Sequence, residues 1–197
     1  MRKIPTLFRR EYENGRVRAI TEEVTPGLEW VLAGEGLATV KIDGSCCAVI
    51  DGRFHRRYDA KRGKTPPEGA IPCGEPDPVT GHWPHWLPVD PMDKGANWHL
   101  AAYYNSGGAN LRDGTYEAIG PHFRSNPYGL THDILVMHGR AIVADAPRSF
   151  AGLRDYLRDH VIEGFVFWRD GEPRCKIKRS DFGFRWPAED VEKSFLK

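Results

Sequence analysis

The chain has 197 residues, of which 40% are hydrophobic and 28% are charged, as is ordinary for a folded globular protein. These proportions exclude a collagen, a low-complexity chain and a coiled coil. Twenty-eight Lys and Arg residues oppose 27 Asp and Glu residues, so the net charge is +1. A generally basic nucleic-acid coat is therefore excluded, whereas a local basic groove is not. The length predicts a single domain over residues 1–197.

The sequence predicts neither a membrane helix nor a secretion signal. No apolar run approaches the roughly 20 residues that a spanning helix needs. The basic residues 1–10 are not followed by the apolar run of a signal peptide. Four cysteines, two of them adjacent at 46 and 47, favour free thiols over a disulfide framework. We expect a monomer of the cytoplasm, or of the nucleus in a eukaryote, without membrane contact.

The predicted elements are mostly short strands joined by turns. Residues 1–30 predict an N-terminal arm with a hairpin at Asn14-Gly15. Asp43-Gly44 and Asp51-Gly52 predict turns around the strand at 46–50. Residues 61–97 form a Pro- and aromatic-rich insert without periodicity, which predicts a long functional loop. Ser149 predicts the cap of a helix. The predicted strands are 37–41, 46–50, 53–58, 99–104, 114–120, 134–138, 161–168 and 174–178, and the predicted helix is 149–160.

This order of elements predicts an α+β fold of mostly antiparallel sheets with flanking helices. Within it, Lys41 ends a strand just before the Asp43-Gly44 turn, so its amine projects from the edge of a sheet. Such a lysine acts as a nucleophile when burial or neighbouring cations lower its pKa. The alternative is an ordinary surface lysine beside a hairpin.

Glu163 interrupts an apolar run, and Gly164 follows it. A buried carboxylate needs a paired cation or a metal ion, and a glycine allows close approach of backbone or ligand. The alternative is a solvent-facing residue on a half-exposed strand. Glu117, inside another apolar strand, leaves the same two interpretations open.

Lys176 and Lys178 stand two residues apart, so a strand places them on one face. Two neighbouring ammonium groups suit an anion such as a triphosphate. A basic edge strand that opposes aggregation is the alternative. Arg62 ends a basic stretch at Gly63, and an arginine there suits phosphate, although a solvated charge cluster is equally typical.

The order of these segments resembles the covalent nucleotidyltransferase superfamily of ATP-dependent polynucleotide ligases and mRNA capping enzymes. Its motifs I, Ia, III, IV and V are matched by Lys41–Gly44, Arg62-Gly63, Tyr116–Gly120, Glu163–Val166 and Lys176–Lys178. Residues 41–47 and 58–63, with the 81–84 loop, are similar to the vertebrate-type 5′–3′ RNA ligase family. The resemblance covers most of the chain.

The resemblance implies an adenylation domain in which Lys41 attacks the α-phosphate of ATP and becomes a lysyl-AMP. The AMP would then pass to a 5′-phosphate RNA end, and a 3′-hydroxyl end would displace it. Mg²⁺ or Mn²⁺ would accompany the triphosphate, with Glu163 near the metal. The implied ATP-binding residues are Val40 and Asp43 beside the nucleophile, Arg62 on phosphate or ribose, Glu117 on the ribose, Glu163, and Lys176 and Lys178 on the α-phosphate.

Other features extend or limit this resemblance. Met137 and His138 are both candidates to stack on adenine. Only 19 residues follow Lys178, which predicts a chain without the OB domain of DNA ligases and capping enzymes. Trp83, Trp86 and Trp98 either stack on RNA bases or pin the loop to the core. A basic N-terminal arm binds phosphate or is merely solvated; its members are Arg2, Lys3, Arg9, Arg10, Arg16 and Arg18.

Three further alternatives stay open at this point. Cys73, His82 and His85 have residue types that zinc uses, but no paired C-x₂-C accompanies them. A capping-type guanylyltransferase would share the same motifs. A non-catalytic RNA-binding relative of the fold is the third reading, against which the full set of motif residues argues.

Overall fold

The computed structural model describes residues 3–14, 16–78 and 80–196. It is an α+β structure in which all paired strands are antiparallel and helices are few, which confirms the predicted class. The chain forms two compact units, one of residue 3 with 43–138 and the other of 4–42 with 139–196. The single domain over 1–197 stays a prediction. No helix in these ranges is long and apolar enough to cross a bilayer.

The first unit is built on a six-stranded antiparallel sheet. Its order is β6-β7-β5-β4-β8-β9, where the strands are β4 (Ser45–Ile50), β5 (Arg53–Ala60), β6 (Ile71–Pro72), β7 (Trp83–Pro88), β8 (Gly114–Ile119) and β9 (Ile134–Met137). Inward-facing residues of β4 and β8, such as Cys47, Val49 and Tyr116, form a buried cluster with Phe54. Strands β4 and β8 carry runs of consecutive buried residues, and such short apolar runs next to turn residues explain why the sequence predicted them.

Of the two turns predicted around β4, the structure confirms one and contradicts the other. Asp51 and Gly52 join β4 to β5 with φ of 50° and 69°, so this predicted hairpin is confirmed. The prediction of a hairpin at Asp43-Gly44 is wrong, because the strand before it belongs to the other unit and the strand after it to the six-stranded sheet. Glycine is nevertheless required at 44, since a Cβ there would clash with the carbonyl oxygen of Ala118.

The predicted strand 99–104 is wrong, because these residues lie in helix α2 (Asn97–Asn105). Its aromatic-rich sequence favours strands by propensity, and only Ala102 is fully buried, so no helical stripe announces it. A short 3₁₀ turn, Lys94–Ala96, leads into the helix, and the Asp93 carboxylate accepts a hydrogen bond from Gly95 N–H. Tertiary packing of Tyr103 on Phe54 stabilises the helix there.

The insert at 61–97 is not loop throughout. Strand β7 pairs with β5 over six positions, from His55 with Pro88 to Ala60 with Trp83. Trp86 on this strand is buried, so it contributes to the core rather than offering a surface on which bases stack. The sequence did not predict this strand, because it contains two prolines and lacks a simple alternation of apolar and polar residues.

The second unit contains a hairpin and a three-stranded sheet. The hairpin is β1 (Phe8–Glu13) with β2 (Arg16–Val24), as predicted, although Gly15 at its turn lies outside the described residues. The sheet has the order β11-β10-β3, with β3 (Leu37–Val40), β10 (Gly164–Arg169) and β11 (Glu172–Lys178). The helices are α1 (Glu29–Leu32) and α3 (Phe150–Asp159). Ser149 caps α3 by accepting a hydrogen bond from Gly152 N–H, as predicted.

The core of this unit fixes the start of the chain against β11. Leu7 and Phe8 are fully buried with Leu153, Phe165 and Ile177. The backbone of residues 5–7 bonds to both N–H and C=O of Lys176, at 3.0 and 2.8 Å. Within the basic arm, Arg9 pairs with Glu23 and Arg10 with Asp181. Arg2 and the side chain of Arg16 lie outside the described residues.

Candidate active site

Lys41 follows β3 directly, and β3 pairs with β10. Val40 lies opposite Phe165, and the Lys41 N–H donates to the Gly164 carbonyl at 2.8 Å. This pairing brings the side chain of Lys41 to the residue before Gly164. Its ammonium Nζ donates to Oε2 of Glu163 at 2.7 Å, and the lysine side chain is only 19% exposed. The surface-lysine alternative therefore fails.

Glu163 is buried between two cations. Its side chain is 4% exposed, with Oε1 3.6 Å from Nζ of Lys178 and Oε2 on Lys41. This excludes the solvent-facing alternative. Gly164 is required beside it, since φ is 155° and a Cβ would clash with the carbonyl oxygen of Ile177. The glycine thus lets β11 approach closely enough to present its lysines.

Lys176 and Lys178 lie on one face of β11, opposite Val166 and Gly164 of β10. Burial, together with the positive charges of Lys178, Lys41 and Arg10, lowers the pKa of Lys176 to about 8. Four cationic side chains, those of Lys41, Lys176, Lys178 and Arg10, face two buried carboxylates, those of Glu163 and Asp181, so this region has excess positive charge. The arrangement suits an anionic ligand held by the lysines.

The lowered pKa of Lys176 predicts a pH-dependent cost in stability. Between about pH 8 and 10.5 the unfolded chain binds more protons at this residue than the folded one, so stability rises across that window. The unfolding free energy of Lys176→Met at pH 7 should therefore be about 1–2 kcal/mol higher than that of the wild type. The difference should shrink as the pH passes 8. Urea unfolding at pH 7 and 9.5 measures it.

The matched control is Lys193→Met, because Lys193 is exposed in the same unit. Its difference from the wild type should be small and constant over the same pH range. An equally constant difference for Lys176→Met would show that the folded protein does not disfavour the charge at 176.

Two predicted site residues, Glu117 and Asp43, lie in the first unit and have partners there. Oε2 of Glu117 lies 2.9 Å from Nε2 of His138. Asp43 donates its backbone N–H to the Tyr128 hydroxyl at 2.8 Å, and its carboxylate lies 3.6 Å from Nε of Arg124. Tyr128 is fully buried, so this bond fixes the backbone at Asp43.

Arg62 lines a cavity of about 370 Å³, and Lys61, Lys64 and Trp83 also line it. Its side chain lies across Gly81, where a Cβ would come within 2.6 Å of Nε. Asp77 is the acidic residue of the lining. A cationic cavity with an aromatic wall suits a phosphate-bearing ligand, in keeping with the residue types predicted there.

Comparison with known proteins supplies an independent result. No family model matches the chain. Proteins called RNA ligase 1 from Danio rerio, Rattus norvegicus and Mus musculus are similar to it, at 26%, 27% and 27% identity over 96% of the chain and 83% of each relative. The chain resembles RNA ligases. The resemblance stated from the motifs is thereby confirmed, and it extends over nearly the whole sequence. The aligned region is 272 residues long, so these relatives have segments without a counterpart here.

Sequence reasoning had missed two residues that position β11 in this RNA-ligase-like chain. The buried carboxylate of Asp181 accepts the backbone N–H of Lys178 at 2.9 Å through Oδ2. Its Oδ1 accepts two bonds from the Arg10 guanidinium, at 3.0 and 2.6 Å. The Asp three residues after Lys178 is a capping signal that the sequence offered. Arg10, 171 residues away, gave none beyond its charge.

The structure shows the surroundings of two loop tryptophans and of the residues considered for zinc. Trp98 is 52% exposed and stacks on His122 with ring centroids 3.4 Å apart, so it keeps an open face. Trp83 donates its indole N–H to the Gly74 carbonyl at 2.7 Å, as expected of a residue that pins the loop. Within the part of the chain that the structure describes, Cys73, His82 and His85 form no three-ligand cluster. Met137 and His138 as adenine partners stay a prediction.

Proposed function

We propose that this chain is an ATP-dependent RNA ligase with a nucleotidyltransferase fold. It joins a 5′-phosphate end of RNA to a 3′-hydroxyl end through a lysyl-AMP and an adenylylated RNA. The supporting observation is the half-buried amine of Lys41, 2.7 Å from Glu163 and on the same sheet as Lys176 and Lys178, in a chain similar to RNA ligase 1 proteins over 96% of its length.

In the first step, the neutral amine of Lys41 attacks the α-phosphorus of ATP. A nitrogen–phosphorus bond forms, the bond from the α-phosphorus to the bridging oxygen breaks, pyrophosphate leaves, and the nitrogen gives up one proton to solvent. Glu163 orients the amine, because its carboxylate accepts from Nζ. Lys176 and Lys178 stabilise the negative charge that gathers on the α-phosphate.

In the later steps, an oxygen of the RNA 5′-phosphate attacks the phosphorus of the lysyl-AMP. The nitrogen–phosphorus bond breaks, and Lys41 regains its amine. A 3′-hydroxyl then attacks the activated 5′-phosphorus and gives up its proton to solvent. The bond from that phosphorus to the oxygen that bridges it to AMP breaks, so the phosphodiester forms and AMP leaves. The two lysines of β11 serve every step in which charge develops on the adenylate phosphate.

The residues present fit a divalent ion that arrives with the nucleotide. Glu163 offers hard oxygens, and Mg²⁺ commonly uses one or two carboxylates together with substrate phosphates. Glu163 is absent from the three-ligand cluster that the described residues form, so the triphosphate would provide most ligands. Mg²⁺ or Mn²⁺ held there supplies neutralisation of the leaving pyrophosphate.

The remaining residues are assigned by the resemblance. We propose that Glu117 contacts the ribose, that Arg62 grips phosphate, and that Val40 and Asp43 contribute contacts beside the nucleophile. A monomeric state and a cytoplasmic location stay predictions.

The test is covalent labelling followed by ligation. The purified protein is incubated with α-labelled ATP or GTP and Mg²⁺, and its mass is measured. It is then given a 5′-phosphorylated or a 5′-hydroxyl RNA with a 3′-hydroxyl acceptor. We expect label from ATP, and a joined product from the 5′-phosphate alone. Label from GTP alone would favour the capping-type alternative, and no label with either nucleotide would favour a non-catalytic protein.

A further inference from the structure

Three potential metal ligands lie together in the first unit. Cys46 on β4 and Glu117 on β8 are direct cross-strand partners, which places both side chains on one face of the sheet. His138 follows β9, the next strand, and its backbone N–H donates to the Thr115 carbonyl at 3.0 Å. The thiol, carboxylate and imidazole ligand atoms all lie within 4.8 Å of one another.

The histidine of this cluster is already oriented. Its Nδ1 lies 3.0 Å from Oγ1 of Thr115, and its Nε2 lies 2.9 Å from Oε2 of Glu117. A hydroxyl both donates and accepts, so Thr115 can bond either tautomer of the imidazole. Metal-binding histidines use their second nitrogen in just this way, bonded to an outer partner that fixes the ring.

We propose that Cys46, Glu117 and His138 bind a thiophilic divalent cation of the zinc class. Binding forms bonds from the ion to Sγ, to a carboxylate oxygen and to Nε2. The thiol proton leaves to solvent, and the imidazole bears its proton on Nδ1, donated to Thr115. Solvent completes a four-coordinate site with three protein ligands.

The ligand set distinguishes this cation from the one that accompanies ATP. Thiolate and imidazole select zinc-like ions, whereas Mg²⁺ prefers oxygen ligands. The side chains of Glu117 and His138 are 12% and 16% exposed, so an ion reaches them from solvent. Because Glu117 is also the proposed ribose contact, an ion held here competes with the nucleotide. This last consequence alone rests on the proposed function.

The direct test is a titration of the metal-free protein with Co²⁺, which serves as a spectroscopic substitute for zinc. We expect one equivalent to give a near-ultraviolet thiolate-to-cobalt band and visible bands of four-coordinate intensity, both abolished by Zn²⁺. Cys46→Ser should lose the thiolate band. His138→Gln removes a direct ligand and should weaken affinity by more than the roughly 10–100-fold that loss of an outer partner costs. Cys73→Ser and His132→Gln, which change a cysteine and an exposed histidine outside the cluster, should behave as the wild type.

The absence of a thiolate band in the wild type would overturn the proposal, whatever the variants do. So would a band that survives Cys46→Ser or that is lost in Cys73→Ser. Circular dichroism establishes that each variant is folded before it is compared. Because cobalt binding is read without nucleotide or RNA, failure of this site and failure of the ligase proposal are distinguishable.

Discussion

Lys41→Ala should abolish the covalent adenylate and, with it, RNA joining. The change removes the amine that lies 2.7 Å from Glu163, and alanine offers no substitute nucleophile. We expect the rate of adenylate formation to fall by about 10⁴-fold or more, the scale on which loss of a covalent nucleophile acts. Intact-protein mass spectrometry after incubation with ATP and Mg²⁺ measures the adduct directly.

Two further variants separate chemistry from structure. Lys41→Arg keeps the positive charge beside Glu163, but the guanidinium stays protonated and is a poor nucleophile, so it should remain folded and unlabelled. Lys193→Ala removes an exposed lysine of the same unit and should adenylate as the wild type does. Adenylate on Lys41→Ala at the wild-type rate would place the nucleophile elsewhere and refute the mechanism.

A pre-adenylylated RNA tests the later steps with the same variants. The 3′-hydroxyl attack needs no new lysyl-AMP, so Lys41→Ala should still seal this substrate to a measurable extent. Such sealing would show that the variant keeps a folded site that binds RNA. It would also assign the loss with ordinary RNA to the first step alone.

The sequence predicted those parts of the fold that local pattern determines. The strands at 46–50, 114–120 and 174–178 alternate or form apolar runs, and Ser149 caps a helix with one apolar face. The helix at 97–105 was hidden by aromatic residues with strand propensity. The partition of the two strands around Asp43-Gly44 between different sheets depends on long-range pairing, which a turn signal does not report.

The candidate site likewise contains residues that the local sequence predicted and residues that it did not. Lys41, Glu163 and the lysines of β11 could be predicted, because each breaks a local pattern in a way that calls for a partner or a ligand. Their close contact in space supports that reasoning. The partners of Arg10 and Cys46 could not be predicted, because Asp181 and Glu117 reach them only through contacts between segments far apart in the chain. Charge and residue type alone do not specify such pairs.

Glu163 determines how the cations of this site are arranged. Both of its oxygens face lysines, one at 2.7 Å and one at 3.6 Å, and the side chain is almost fully buried. Glu163→Gln preserves the volume but removes the negative charge that holds Lys41 and that we propose as a metal ligand. Adenylate formation should fall by about 10²–10³-fold, as for loss of one preorganised electrostatic group. The unfolding free energy should fall by about 1–3 kcal/mol, because two ammonium groups lose their buried counter-charge.

Single-turnover labelling with ATP over a range of Mg²⁺ concentrations measures the first effect, and urea unfolding measures the second. Glu172→Gln is the matched control, because it removes an exposed carboxylate from the same strand hairpin and should change neither quantity appreciably. If Glu163→Gln formed adenylate at the wild-type rate, Glu163 would act only as a structural counter-ion. A loss that excess Mg²⁺ reverses identifies metal binding as its main contribution, whereas a loss insensitive to Mg²⁺ identifies orientation of the Lys41 amine.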